Sequence, residues 1–105
     1  MGFFTSTTKP VDLGGGNTVT LRKVTFGQYA DAQSAATHIA NDSVQLDWPR
    51  LRAEVLKRSV ESWDGPDFDG QAPTVENIAR LPWEIGNKLA EEAMQLATVG
   101  TEAGN

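Results

Sequence analysis

At 105 residues, with 39% hydrophobic and 22% charged side chains, the chain has the size and composition of a single ordinary globular domain with room for only a modest core. A formal charge of -5 argues against a phosphate-binding surface, because affinity for nucleic acid or anionic membrane comes mostly from basic contacts. With no cysteine there is no disulfide framework and no thiolate metal site, which suits a reducing compartment.

The opening "MGFFTSTTKP" has neither the charged flank nor the apolar stretch of a signal peptide, and no run approaches the roughly 18 apolar residues of a membrane span. Gly2 with Ser6 matches the loose myristoylation pattern, but two phenylalanines and no basic patch make the match a chance one. Residues 1–17 are rich in Thr, Ser and Gly, and the triplet Gly14 to Gly16 costs more backbone entropy to order than any other. They read as a flexible arm whose Phe3 and Phe4 are candidate docking residues.

"NTVTLRKV" then alternates Val19 and Leu21 with Thr18, Thr20 and Arg22, the period of a half-buried strand. Its partner is either the upstream "PVDL", across the glycines, or another subunit. "TFGQ" is a capping box: Thr25 accepts from the amide of Gln28 while Gln28 reaches back, with Val24 and Tyr29 at the staple positions. The spacing of Tyr29, Ala32, Ala36 and Ile39 predicts a helix over 26–39, its alanines allowing close approach by a neighbour. His38, the only histidine, falls on that helix and has no partner residue suggesting catalysis.

A third element opens at Asp47 and Trp48 before Pro49, a proline suited to a first helical turn, and carries Leu51, Val55, Leu56 and Val60 down to Trp63. Glu54 and Arg58 stand four apart in the favourable order, on what reads as a solvated face. Then comes "WDGPDFDGQAPT", residues 63–74, with three aspartates, two glycines and two prolines. In a calcium-loop frame Asp67, Asp69, Gly70 and Glu76 take positions 3, 5, 6 and 12, but position 1, which needs an oxygen ligand, falls on Gly65 and position 9 on Pro73. Asp64, Asp67 and Asp69 form no catalytic set either, since a loop of this composition is wet and no nucleophile or base lies nearby in sequence. No nucleophile elbow, zincin, P-loop or dinucleotide motif occurs, so no enzyme, metal or cofactor is expected. The stretch reads as a structural turn flanked by the aromatic anchors Trp63 and Phe68.

Thr74 caps a short turn through Leu81, and Pro82 forces a new start. Ile85, Leu89, Ala93 and Leu96 predict a helix from Pro82 to about Ala97, with Gly100 just past its end. Trp83 and Met94 lie off the centre of that stripe, so Trp83, Leu89 and Met94 join Phe3 and Phe4 as candidate partner-binding residues. The expected architecture is mainly α: a small helical domain of three to four helices over 18–97, a short N-terminal strand or hairpin, and flexible ends at 1–17 and 98–105.

A helix ending in Trp63, an acidic turn with Asp69 and Gly70, then Pro73, Thr74, Glu76, Asn77 and Ile78, then Leu81 and Pro82 opening the last helix, resembles the tail assembly chaperones of long-tailed phages and prophages. The upstream "VTLRKVTFGQYADAQ" is similar to how those proteins begin. The resemblance covers roughly residues 18–97, and each matching part is a packing or turn device. It implies a non-catalytic late protein that binds the long helical tape measure protein and keeps it soluble during tail morphogenesis. It further implies self-association, action in the host cell cytoplasm, absence from the mature virion, and no nucleic-acid or membrane partner. The glycine triplet and the Phe-bearing arm are outside the family pattern and leave an alternative, a structural tail or head-tail adaptor protein present in the virion.

Overall fold

The computed structural model describes residues 2–98. Over these the chain is mixed α/β, 47% helical and 27% strand, with two antiparallel sheets and four helices, so the expectation of a mainly α domain is overturned. The elements are β1 (Thr8–Gly14), β2 (Asn17–Arg22), α1 (Phe26–Ala35), β3 (Thr37–Ala40), β4 (Ser43–Leu46), α2 (Trp48–Ser59), β5 (Val60–Asp64), a 3-10 turn (Pro66–Phe68), α3 (Val75–Ala79) and α4 (Trp83–Thr98).

β2 is the centre of a three-stranded sheet ordered β1-β2-β5. Its alternation holds as read: Asn17, Val19 and Leu21 are buried while Thr18, Thr20 and Arg22 are half-buried. The upstream partner is β1, paired Val11 to Val19 and Lys9 to Leu21, so residues 8–14 belong to the sheet and not to a flexible arm. Gly14, Gly15 and Gly16 all have positive φ, between 63° and 84°, where a side chain is strained. The triplet that reads as flexible is therefore the fixed turn of this hairpin.

The second edge of β2 is covered by a strand that helical spacing conceals. α2 stops at Ser59, whose buried hydroxyl donates to the carbonyl of Arg22 at 2.7 Å. At Val60 the backbone turns extended (φ -69°, ψ 119°), and β5 pairs Val60 with Leu21 and Trp63 with Val19. Leu56, Val60 and Trp63 fit helical steps of four and three, but the unpaired peptide groups of β2 need a partner, and that long-range demand overrides the local period.

α1 likewise ends four residues earlier than its apolar spacing predicts. Its capping box forms as expected, with Gln28 N–H donating to Thr25 Oγ1 at 3.1 Å and Thr25 N–H to Gln28 Oε1 at 2.9 Å. Thr37 then ties its hydroxyl back to the carbonyl of Gln33 and leaves the helix. His38 and Ile39 thus lie on β3 and are exposed. β3 and β4 form a separate two-stranded hairpin joined by Asn41 and Asp42, both at positive φ, the requirement of a type I′ turn.

The core lies between the three-stranded sheet and the helices. Val19 and Leu21 meet Leu51 and Val55 of α2 and Leu89, Ala93 and Leu96 of α4, while Ala32 and Ala36 let α1 approach α2 closely. Burying a Val or Leu side chain of this kind contributes roughly 1.5–3 kcal/mol. Capping residues set the helix starts: Asp47 accepts from Arg50 N–H at 3.2 Å with Pro49 in the first turn, and Thr74 accepts from Asn77 N–H at 3.1 Å. Pro82 stands immediately before α4 and its carbonyl accepts from Gly86 N–H. A 2.5 Å ion pair from Lys9 to Glu92 joins β1 to α4.

The outer face of α2 is less solvated than its charge pattern predicts. Glu54 is buried beneath three cations, with Arg58 at 2.7 Å, Lys57 at 3.4 Å and Arg50 at 3.6 Å. The hydrogen bond from Arg58, aided by Lys57, holds its carboxyl below the ordinary carboxylate range despite the opposing effect of burial.

Candidate functional site

The aspartate turn is a clasp between two turns at one end of the sheet. Asn17, 6% exposed, uses its whole amide: Oδ1 accepts from Asp67 N–H at 3.0 Å, and Nδ2 donates to Gly14 O at 3.0 Å and to Asp67 Oδ2 at 2.9 Å. The β1–β2 turn is thereby locked onto the turn after β5. Gly65 sits against the same side chain at φ 147°; a Cβ there would fall 2.6 Å from Asn17 Cα, so only glycine fits. Trp63 and Phe68 stack with centroids 4.5 Å apart and planes 9° from parallel, and Trp63 Nε1 donates to Gln71 O at 2.6 Å. Asp69 takes the left-handed conformation (φ 54°) and Gly70 follows it at φ 72°. Among the described residues no group of three or more His, Cys, Asp or Glu side chains is placed to hold a metal ion.

Trp63 and Leu81 are half-buried residues packed against the edge of the core, at the seam where β5, the turn and α3 meet α4. Thr74 and Pro82 set the starts of α3 and α4, and Pro73 precedes the first of these caps.

The five candidate partner-binding residues do not form one site. Leu89 is completely buried in the core, so the folded protein cannot offer it to a partner. Met94 is half-buried and packed against the same core. Phe3 and Phe4 are fully exposed ahead of β1. Trp83, 76% exposed, opens α4 and walls an apolar groove between α2, α3 and α4, floored by Ala53, Leu56, Ile78, Leu81 and Ala90. Gly86, one turn after Trp83, lines this groove, and a Cβ there would meet no atom within 4 Å. The cationic Arg52 and Lys57 line its α2 side, with Arg52 hydrogen-bonded to Asn87 of α4 at 2.9 Å. A groove of helices lined by small and aliphatic side chains, with an aromatic at its lip, is shaped to receive the apolar face of another helix.

Two further features escape a reading by helical period. Gly86 is a helix-interior glycine with open space beside it, where glycine costs helix propensity without a packing reason within the described residues. Ile39 and Val44, paired across the β3–β4 hairpin, are exposed at 76% and 71%. Their signal is the alternation of Thr37, Ile39, Val44 and Leu46 about the Asn41-Asp42 dipeptide.

The chain matches no protein family, no curated protein and no solved structure in comparisons with known proteins. Among the described residues no helix is long and apolar enough to cross a membrane.

Proposed function

We propose that this protein is a non-catalytic phage tail assembly chaperone that binds apolar helical segments of the tape measure protein and keeps them soluble until the tail tube forms around them. The observation that carries this reading is the open groove beside Trp83: a preformed apolar trough on a small acidic protein, with no side chain of the described residues covering it. The turn devices from Asp69 to Pro82 that resemble those of that family supply the rest of the support, without the helix end at Trp63, which lies on β5. In this role the protein acts in the host cytoplasm and is left out of the finished virion, and its acidic surface keeps it away from DNA.

Co-expression with the neighbouring large helical gene product tests the proposal. That product should remain soluble only when this protein is present. Gly86→Leu should abolish the protection while leaving the fold intact, since its Cβ meets no atom within 4 Å, its side chain extends into the groove and leucine improves helix propensity. Unchanged protection by the Gly86→Leu variant would place the binding surface elsewhere.

The exposed β3–β4 hairpin favours a second reading, a structural tail or head-tail adaptor protein, because unpaired strand edges suit assembly of like subunits. Stoichiometric presence in purified particles would establish it over the chaperone.

A further inference from the structure

We propose that two copies of this protein associate through β3, pairing antiparallel about a two-fold axis at Ile39 to extend the hairpin into a four-stranded sheet ordered β4-β3-β3-β4. This goes beyond the chaperone reading and does not rest on it; it stands on the hairpin alone.

An isolated two-stranded hairpin is at best marginally stable in water, and three or more strands with an apolar face are needed for independent stability. β3 and β4 pair only with each other among the described residues, and one face of the hairpin is apolar. Thr37, Ile39, Val44 and Leu46 share that face by the two-residue period of a strand. Leu46 packs against the core at the base, while Ile39 and Val44 continue the face into solvent.

The ladder decides which groups are free. Ala40 and Ser43 close the two-residue turn and exchange the hydrogen bonds of the first pair, so by alternation Ile39 and Val44 are a non-hydrogen-bonded pair. The N–H and C=O of Ile39 therefore point away from β4, toward the open edge. A two-fold axis at this residue lets each Ile39 exchange both bonds with its counterpart, and sets Thr37 opposite Asn41 and His38 opposite Ala40 of the second copy.

Charge selects β3 over β4. β4 is flanked by Asp42 and Asp47, and pairing β4 with itself about Val44, whose peptide groups face its open edge, sets Asp42 of one copy opposite Leu46 and next to Asp47 of the other at both ends. β3 carries no acidic or basic side chain, apart from its single histidine, and none flanks it between Ala36 and Asn41. It also has none of the lysines, prolines or bulges with which edge strands resist pairing. For a chain of net charge -5 this is an edge that two copies can share without opposing acids. The result aligns Val44, Ile39, Ile39 and Val44 in one apolar stripe across four strands, an isologous contact that closes on itself.

The absence of cysteine makes the register directly testable. At the axis the two Ile39 Cα atoms stand about 5.5 Å apart, within disulfide reach, whereas the two Val44 positions are separated by three strand spacings, about 14 Å. Ile39→Cys should cross-link into a covalent dimer on mild oxidation and Val44→Cys should not. Sedimentation equilibrium from about 1 μM to about 1 mM should show the wild type passing from monomer to dimer, and Ile39→Lys remaining monomeric with an unchanged circular dichroism spectrum. Gln45→Lys, on the opposite face of β4, should dimerise as the wild type does. A wild type that stays monomeric to about 1 mM, a dimer that survives Ile39→Lys, or cross-linking of Val44→Cys in preference to Ile39→Cys would each overturn the proposal.

Discussion

Replacing Asn17 by aspartate keeps its volume and the acceptor facing Asp67 N–H, but removes both donors and sets a carboxylate 2.9 Å from Asp67 Oδ2. The lost bond to an ionised acceptor costs about 1.5–3 kcal/mol and the lost bond to Gly14 O about 1 kcal/mol more. Repulsion between the two acids adds to this until one of them takes a proton. Asn17→Asp should thus destabilise the protein by about 3–5 kcal/mol at neutral pH, a large share of the roughly 5–15 kcal/mol available to a small domain.

Asp67→Asn should rescue the first change, because the introduced amide can donate to the introduced carboxylate while the backbone bond at residue 67 persists. Urea unfolding followed by tryptophan fluorescence is the natural assay, since Trp63 stacks on Phe68 one residue beyond Asp67. The double-mutant cycle should return a coupling of about 2 kcal/mol. A single variant within about 0.5 kcal/mol of the wild type, or a double variant no better than the single, would refute the view that this side chain clasps the two turns.

Three other outcomes can be read with the same unfolding assay. Gly65→Ala should cost about 2–4 kcal/mol, because its Cβ meets Asn17 Cα at 2.6 Å and its φ of 147° strains any side chain; near-wild-type stability would mean that the turn shifts freely. Leu89→Ala should cost about 2–5 kcal/mol by opening a cavity, whereas Trp83→Ala should stay within about 0.5 kcal/mol and weaken only capture of the helical partner; equal losses would place Trp83 in the core. Glu54, whose pKa is lowered in the folded state, contributes stability that is present above its unfolded value near 4.5 and is lost as pH falls through the folded value. Glu54→Gln should therefore remove about 1 kcal/mol at neutral pH and flatten the acid limb of a stability profile, and an unchanged limb would show that other carboxylates set it.

What was legible in the sequence was whatever a few neighbouring residues decide. The alternation of Val19 and Leu21, the reciprocal bonds of Thr25 and Gln28, the caps at Asp47 and Thr74 and the buried stripe of Leu89, Ala93 and Leu96 all involve contacts within one element. Illegible were the places where a distant strand outbid a helical period. Val60 and Trp63 continue the spacing of α2, yet they pair with Leu21 and Val19 some forty residues upstream, because a central strand cannot leave one edge bare. Ile39 continues the spacing of α1, yet Thr37 to Leu46 folds back on the Asn41-Asp42 turn, whose signal is local but is drowned by the alanine run before it.

The candidate site divides along the same line. The exposure of Trp83 is legible because it follows from its angle on one helix, while the burial of Leu89 is not, because the same helix wheel cannot say how much of an apolar sector the domain itself covers. The three-stranded sheet, absent from a helical reading, packs with α2 on that stripe and takes Leu89 for the core. What it leaves uncovered is the N-terminal turn of α4, where Trp83 and Gly86 face outward beside α2 and α3. The same misreading hid the hairpin, since residues assigned to a helix face offer no free peptide groups, whereas residues on a bare strand edge do. Recognising the strands therefore changes the functional reading as well as the fold: it confines the proposed helix capture to one groove and adds the proposed backbone-driven contact through β3.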